Sequence, residues 1–397
     1  MRTLLTRGGT LLAALTLSVA GAAPVAASSQ TYSSIAAGGS HTCALTARGT
    51  AYCWGDNNYG QLGDGTTTDS DENGPQAVIG GLKFARIAVG DGHTCAITTR
   101  GAAYCWGSNA GGEDESFGQL GDGTTTNSYN DGPQAVIGGL KFASITAGEY
   151  HTCAITTRGA AYCWGRNFDG QLGDGTTIHS GASGPQRVID GHRFASITGG
   201  EDHTCALTTR GAAYCWGYND SGRLGDGTTE DTDGNPPQRV IGGLTFASIS
   251  AGYLHTCGLT SRGAAYCWGY NSDGRLGDGT LGDSNEAGPQ RVIGGHRFAS
   301  LGTGYEHTCA ATTQGRAYCW GYNAYGELGD GTTDGSDENG PQAVIGGLKF
   351  ASFDGGNEHT CALTTRGTAY CWGANWYGQL GDGTSDDSDE DGPQAVQ

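Results

Sequence analysis

Residues 41–55 read HTCALTARGTAYCWG, and this stretch decides the fold because its pattern returns along the whole chain. Further copies begin at His93, His151, His203, His255, His307 and His359. The cysteines of successive copies are 52 residues apart, except between the second and third copies, where the step is 58. Self-similarity at a nearly fixed period is the signature of a repeat architecture. We therefore predict seven copies of one structural unit.

The stretch is typical of a β-hairpin. Two short runs flank a three-residue connection that ends at Gly49, as a type I turn followed by a bulge requires. In this register Cys43 lies directly opposite Cys53 at a non-hydrogen-bonded position, where Cα atoms are about 4.5 Å apart. A disulfide can span that distance. A pair of buried thiols is the alternative, and a metal site with His41 is disfavoured because no C-x-x-C spacing occurs.

All fourteen cysteines of the chain fall into such pairs, and the two members of each pair are ten positions apart. We predict seven hairpin disulfides, which join Cys43 with Cys53, Cys95 with Cys105, Cys153 with Cys163, Cys205 with Cys215, Cys257 with Cys267, Cys309 with Cys319 and Cys361 with Cys371.

Each unit contains four strand-like runs, first seen at residues 32–37, 42–46, 50–55 and 75–79. Glycine supplies 74 of the 397 residues, which favours a turn-rich all-β chain over helices. Seven units of four antiparallel strands predict a seven-bladed β-propeller that occupies residues 28–397 as one domain.

Loop lengths suggest where one blade ends and the next begins. A tight Gly-Gly-Leu turn follows residues 75–79, whereas nearly twenty residues separate Gly55 from Pro75. We therefore place the blade boundary in the long segment. On this interpretation the C-terminal strand, residues 393–396, pairs with residues 32–37 and closes the ring by joining the N- and C-terminal strands.

The N-terminal residues are typical of a secretory signal peptide. Residues 1–27 combine Arg2 and Arg7, an apolar core from Leu11 to Val19, and a small-residue site that ends at Ala27. Disulfides persist outside the reducing cytosol, so the paired cysteines agree with export. We expect a secreted, extracellular protein.

The charge balance limits the choice of partner. The chain has 40 acidic and 21 basic residues and a formal net charge of −19. This surplus of acid disfavours nucleic acid and anionic membranes and favours a soluble chain that attracts basic partners or cations. We expect a monomer that binds an extracellular protein, with no nucleic-acid or membrane partner.

Antiparallel parity sorts the loops into two faces. The G-x-x-H connections and the long segments after C-W-G lie on one face, where the copies differ; we call it the variable face. The T-x-x-G and I-G-G turns lie on the opposite, uniform face. Aromatic residues are enriched at binding hot spots. The predicted partner-binding residues are therefore the aromatics of the variable face: Tyr59, Phe117, Tyr150, Phe168, Tyr253, Tyr305, Tyr325, Trp376 and Tyr377.

Two acidic loops fit the first half of an oxygen-rich calcium loop, with alternating carboxylates before a glycine. The candidate ligands for Ca²⁺ are Asp69, Asp71, Asn73, Asp387, Asp389 and Asp391. The alternative is that these loops are solvated acidic surface that keeps an exported protein soluble.

Catalytic signatures do not occur in the sequence. There is no G-x-S-x-G, Walker loop or H-E-x-x-H, and the repeat histidines recur identically in every copy, which favours a scaffold role. We expect neither an enzyme nor a required cofactor.

The run G-x-x-H-T-C-A-L followed by C-W-G-x-N-x-x-G-Q-L-G-D-G-T resembles the repeat of the regulator-of-chromosome-condensation (RCC1-like) family. The resemblance implies a seven-bladed propeller. Because this chain is acidic and expected to be exported, it is more similar to the secreted bacterial β-lactamase inhibitory proteins built on that propeller. We therefore predict a non-enzymatic protein that binds an extracellular protein through its variable face. The alternative is a calcium-stabilised surface component that binds glycan or cell-wall polymer.

Overall fold

The computed structural model of the chain describes residues 30–111, 116–189 and 191–397. These residues form seven sheets of four antiparallel strands, which confirms the seven-bladed β-propeller. The predicted signal peptide, residues 1–27, lies outside the described residues.

Each blade has four strands, a to d, in sequence order. Strands a are Tyr32–Ala37, Phe84–Val89, Phe142–Ala147, Phe194–Gly199, Phe246–Ala251, Phe298–Thr303 and Phe350–Gly355. Strands b are His41–Thr46, His93–Thr98, His151–Thr156, His203–Thr208, His255–Thr260, His307–Thr312 and His359–Thr364. Strands c are Ala51–Gly55, Ala103–Gly107, Ala161–Gly165, Ala213–Gly217, Ala265–Gly269, Ala317–Gly321 and Ala369–Gly373. Strands d are Gln76–Ala77, Gln134–Ala135, Gln186–Arg187, Gln238–Arg239, Gln290–Arg291, Gln342–Ala343 and Gln394–Ala395.

The long segment between strands c and d of each blade contains one short 3₁₀ turn. These turns are Asp71–Asn73, Tyr129–Asp131, Gly181–Ser183, Asp220–Gly222, Asn285–Ala287, Asp337–Asn339 and Asp389–Asp391.

The hairpin of strands b and c has the predicted register, with Cys43 opposite Cys53. All seven predicted disulfides are present, and their Cα atoms lie 4.0–4.1 Å apart. The bonds join Cys43 with Cys53, Cys95 with Cys105, Cys153 with Cys163, Cys205 with Cys215, Cys257 with Cys267, Cys309 with Cys319 and Cys361 with Cys371. The hairpin disulfides are therefore confirmed, at a slightly shorter separation than the ideal strand pair suggests.

The core lies between blades rather than inside one blade. Leu45 and the Cys43–Cys53 disulfide of blade 1 pack against Phe84 and Trp106 of blade 2. In every blade the first aromatic of strand a contacts the tryptophan of strand c, with ring centroids 5.7–6.3 Å apart. Since all seven tryptophans of the C-W-G motifs are fully buried, each blade interface is stabilised by the neighbouring blade's side chains.

The Q-L-G motif of the long segment inserts into the same interface. Leu62 is fully buried there, and the carbonyl of Gln61 accepts hydrogen bonds from Trp106 Nε1 and Thr94 Oγ1 of blade 2, both at 2.9 Å. Gly63 has φ +66°, and a Cβ at this position would lie 2.6 Å from Trp106 Nε1. Only glycine fits this left-handed, closely packed position.

The structure corrects the predicted blade boundary. Strand d pairs with strand c of its own repeat, as Gln76 does with Cys53, so the long segment lies inside a blade. The short I-G-G turn leads instead from strand d to strand a of the next blade. Loop length misled the prediction because the long segment is packed structure, with its Q-L-G motif buried at the interface, rather than a linker between blades.

The predicted pairing of the N- and C-terminal strands is also wrong. The C-terminal strand pairs with Ala369–Gly373 of its own blade, and Tyr32–Ala37 pairs with His41–Thr46. The ring closes through side-chain packing and isolated hydrogen bonds. For example, Trp54 Nε1 of blade 1 donates to the carbonyl of Gln379 of blade 7 at 2.9 Å. This contact equals the one that joins blades 1 and 2, so closure uses the common blade interface.

Two faces and a central channel result from this topology. On the variable face, Asp56 N of the segment after C-W-G donates to the carbonyl of Ser40 in the G-x-x-H loop. On the uniform face, Phe84 N donates to the carbonyl of Gly49 in the T-x-x-G turn. Residues of all seven strands a line a channel cavity of about 240 Å³. Within the described parts of the chain, no helix is long and apolar enough to cross a membrane.

Candidate functional site

The G-x-x-H loops of strands a and b surround the channel mouth on the variable face. Neighbouring loops are hydrogen-bonded to each other, as where Gly39 N donates to the carbonyl of Gly90. A Cβ on Gly38 would lie 2.1 Å from that carbonyl oxygen. The glycine of this motif therefore allows the loops to close tightly, and the variable residues that follow it surround the opening.

The mouth has an acidic side and an aromatic side. Asp91, Glu149 and Glu201 line the first, whereas Tyr253 and Tyr305 stack on the second with ring centroids 3.4 Å apart. Burial, with repulsion from Asp91 and Glu201, raises the pKa of Glu149 to about 8. Burial also raises the pKa of Asp91. The carboxylates are thus crowded in a partly desolvated opening, which favours contact with a cation.

Most of the predicted aromatic residues reach the surface of the variable face. Phe168 is 51% exposed, Trp376 47% and Tyr59 42%. Trp376 makes an edge contact with the ring of Tyr325 at 4.9 Å. The remaining members that stay partly exposed are Tyr150, Tyr253, Tyr305, Tyr325 and Tyr377.

Phe117 is an exception and corrects the prediction. It is only 2% exposed and packs under Tyr150, Phe168 and His179, with ring centroids 4.8–6.2 Å away. It directly precedes the G-Q-L-G motif, as Tyr59 does, and fills the space beneath the neighbouring loop. Phe117 therefore supports the aromatic surface of Phe168 instead of contacting a partner.

The two predicted calcium loops use their carboxylates internally. Asp69 Oδ1 accepts the backbone N–H of Asn57 at 2.7 Å, and Asp387 Oδ1 accepts that of Asn375 at 2.6 Å. The other predicted ligands, Asp71, Asn73, Asp389 and Asp391, lie in the following 3₁₀ turns. Among the described residues, no group of three or more His, Cys, Asp or Glu side chains is arranged to hold a metal ion. The geometry therefore does not support the calcium prediction, because the leading carboxylates bind the loop backbone.

The repeat histidines are part of the blade interfaces. Each is buried, and its Nε2 lies 2.7–2.9 Å from the threonine hydroxyl of the next blade. Burial lowers the pKa of His93 to about 3. Such neutral, enclosed imidazoles are structural groups and are not accessible as catalytic bases.

Charged pairs between adjacent blades are the feature that sequence reasoning missed. The Arg166 guanidinium donates to both carboxylate oxygens of Asp202, and Gln171 Nε2 donates to Asp202 Oδ1 at 2.8 Å. Two blades further on, Arg275 lies 3.4 Å from Glu306. This arginine occupies the motif position of Gln171 rather than that of Arg166. A signal was present in the sequence, because the glutamine of the Q-L-G motif is replaced by Arg, Arg and Glu in three successive copies.

Fold and site together define a class of protein: a disulfide-stapled seven-bladed propeller with one uniform face and one variable loop face. The family model described as "RCC1-like domain" matches residues 13–293 and 112–397. The chain is also 32% identical to the Ultraviolet-B receptor UVR8 of Arabidopsis thaliana over 89% of this chain and 79% of the receptor. The chain therefore belongs to the RCC1-like domain family.

Solved structures agree with the fold. Human WBSCR16 superposes with a TM-score of 0.73 at 21% identity, covering 85% of this chain and 88% of that protein. Prp20p of Saccharomyces cerevisiae, whose structure was described with its binding to Gsp1p and histones, gives a TM-score of 0.68 at 24% identity over 83% and 81% of the two chains.

Proposed function

We propose that this protein is an exported, non-catalytic binding protein that recognises another protein outside the cell through its variable face. One observation carries the proposal: the copies differ mainly on that face, and the same face exposes Tyr59, Phe168 and Trp376. A rigid scaffold with diverse loops on one side is the arrangement that recognition uses. Exposed aromatics supply contact area at small entropic cost.

Several features support the extracellular setting. The N-terminal sequence is typical of a signal peptide, and seven buried disulfides suit an oxidising compartment. The resemblance to secreted bacterial inhibitors makes an exported enzyme, with β-lactamase first, the partner class to test. The binding properties named for Prp20p support a protein partner in general.

Capture of partners from culture supernatant tests the proposal. The immobilised mature chain should retain a protein at fixed stoichiometry, and Trp376→Ala should weaken its binding at least tenfold, as expected for an aromatic hot spot worth about 2 kcal/mol. The matched control is Arg48→Ala, because Arg48 is exposed in a turn of the uniform face. Both variants should keep the melting temperature of the parent chain.

Two results would contradict the proposal. Equal capture by Trp376→Ala and the parent chain would remove the variable face from recognition. Binding to polysaccharide in place of protein, with calcium dependence, would establish the alternative of a surface component.

A further inference from the structure

Carboxylates of the G-x-x-H loops are neutralised by the chain's own cations at two blade interfaces. Between blades 3 and 4, Asp202 binds both Gln171 and the Arg166 guanidinium. Between blades 5 and 6, Glu306 lies 3.4 Å from Arg275. In both cases the first residue of the Q-L-G motif contacts the residue 31 positions later, just before the next repeat histidine.

The interface between blades 6 and 7 has acids at both of these positions. The first residue of the motif is Glu327, and the residue 31 positions later is Glu358. The position of Arg166 is taken by Tyr322, so no guanidinium is supplied from there. The negative charges of Glu327 and Glu358 therefore lack the arginine that compensates the carboxylate at the other two interfaces.

Glu327 is fully buried, yet it is only half satisfied. Its Oε2 accepts the backbone N–H of Tyr325 at 2.9 Å, whereas its Oε1 is buried without a hydrogen-bond partner. Burial, with repulsion from Glu358 and Glu306, raises the pKa of Glu327 to about 7. A buried carboxylate oxygen without a hydrogen-bond partner destabilises the folded state. In the interface between blades 3 and 4 the corresponding side chain is Gln171, whose N–H donates to Asp202.

Aromatic rings stand beside these acids. The backbone N–H that Glu327 Oε2 accepts belongs to Tyr325, so this tyrosine lies next to the buried acid. Tyr325 meets Trp376 edge to face at 4.9 Å, and Trp376 is 47% exposed. Carboxylates next to exposed aromatic rings attract cations, and arginine in particular can pair with the acid while stacking on a ring.

We propose that Glu358, Glu327, Tyr325 and Trp376 form a socket for a cationic side chain, preferentially arginine, of a bound protein. The incoming guanidinium takes the place that Arg166 occupies in blade 3. It pairs with Glu358 at the surface, compensates the charge of Glu327 beneath it, and lies against Trp376. The inference rests on the proposed function in one respect: the cation is taken to be a side chain of a protein bound to the variable face.

Fluorescence of Trp376 tests the socket without a known partner. The other seven tryptophans are 0% exposed, so a soluble probe changes the emission of Trp376 selectively. Titration with Nα-acetylarginine amide should give a saturable change. Nα-acetylcitrulline amide has nearly the same shape without the charge and should bind at least about tenfold more weakly, since charged hydrogen bonds are about twice as strong as neutral ones.

Variants separate the socket from general effects on folding. Glu358→Gln and Glu327→Gln should each weaken the arginine probe about tenfold without lowering the melting temperature, because Gln occupies the Glu327 position in four other copies. Tyr322→Arg should supply a guanidinium within the chain, as Arg166 does, and abolish the response to the probe.

Contrary outcomes are equally specific. An unchanged response in Glu358→Gln, an equal response to the citrulline probe, or displacement of the arginine probe by calcium at low concentration would overturn the socket. If Trp376→Ala loses partner capture while Glu358→Gln retains both capture and probe response, the socket is wrong and the proposed function stands. Probe binding without any captured protein would leave the socket supported and contradict the proposed function.

Discussion

A single histidine in each copy connects one blade to the next. His41 Nε2 lies 2.8 Å from Thr94 Oγ1, and that hydroxyl donates its proton to the carbonyl of Gln61 at 2.9 Å. The imidazole must therefore donate its Nε2–H to the threonine. The same pair joins the last blade to the first, where His359 meets Thr42 at 2.8 Å. Seven neutral, buried imidazoles are thus built into the folded state.

These histidines predict acid sensitivity. Burial lowers the pKa of His41, His93, His151 and His307 to about 3 and that of His359 to about 4, and burial also lowers the pKa of His203 and His255. Below about pH 6.5 the unfolded chain binds protons that the folded chain does not. The free energy of unfolding therefore decreases as the pH is lowered, by up to about 1.4 kcal/mol per pH unit for each histidine. Denaturant unfolding between about pH 4 and pH 7 should show this slope.

Buried carboxylates act in the opposite direction. The raised pKa of Glu149, about 8, and of Glu327, about 7, adds stability at low pH that is lost as the pH rises through these values. The matched variant Glu149→Gln should therefore gain stability relative to the parent chain at alkaline pH and leave the acid limb unchanged. Equal stability of Glu149→Gln and the parent chain at alkaline pH would contradict the raised pKa of Glu149.

Much of this residue-scale structure could be predicted from the sequence. The pairing of Cys43 with Cys53 follows from hairpin geometry alone, because both positions lie within one local element. The scaffold role of the histidines follows from their identity in every copy. Their partner Thr94 could not be predicted, since it depends on how neighbouring blades are placed. For the same reason the contact between Arg166 and Asp202 was missed.

The segment between strands c and d is the element that carries most of the variable face. Its conformation is fixed from within: the side chain of Asn375 donates to the carbonyls of Thr384 and Asp386, and its backbone N–H donates to Asp387. In blade 2, Asn127 accepts the equivalent bond from Asn109 N at 2.7 Å. The loop therefore needs an acceptor at this position, whether or not the acceptor is charged.

This requirement gives a prediction that separates a loop staple from a calcium ligand. Asp387→Asn keeps an acceptor oxygen and should change the free energy of unfolding by less than about 0.5 kcal/mol, whereas Asp387→Ala should cost about 1 kcal/mol. Unfolding in denaturant with and without millimolar calcium measures both effects. A calcium-dependent gain in stability that Asp387→Asn abolishes would restore the metal site.

The position of this element was also where sequence reasoning failed. The strands themselves were found, Tyr32–Ala37 with its observed bounds. The predicted grouping into blades is shifted by one strand, because the length of the segment, nearly twenty residues, does not reveal that it is packed inside a blade. What decides the grouping is the burial of Leu62 and the pairing of Gln76 with Cys53, both of which are tertiary contacts.

The part of the chain that the structure describes forms a ring of blades, each built from four consecutive strands. At the closing interface Val396 is 4% exposed and packs with Tyr32 and Trp54 of the first blade. Val188 is likewise 4% exposed in the corresponding interior interface, where it packs with Phe194 and Trp216. Closure should therefore contribute as much to stability as any other interface.

Val396→Ala and Val188→Ala test this equivalence. Each removes two buried methyl groups and should lower the free energy of unfolding by about 1.5 kcal/mol. Deletion of residues 394–397 should lower the melting temperature further, by several degrees, because it also removes the edge strand of blade 7. A much smaller effect of Val396→Ala than of Val188→Ala would indicate that the ring opens readily at its ends.

Blades that are complete within their own repeat have a consequence for the history of the gene. Propellers closed by a shared strand must preserve one special blade when their number of repeats changes. Here recombination between two copies adds or removes a whole four-stranded sheet and leaves no strand without its partner. Duplicated loops can then diverge on the variable face while the cysteine hairpin beneath them stays the same. Copying of repeats can thus produce new combinations of loops on the variable face without a change in the blade interfaces.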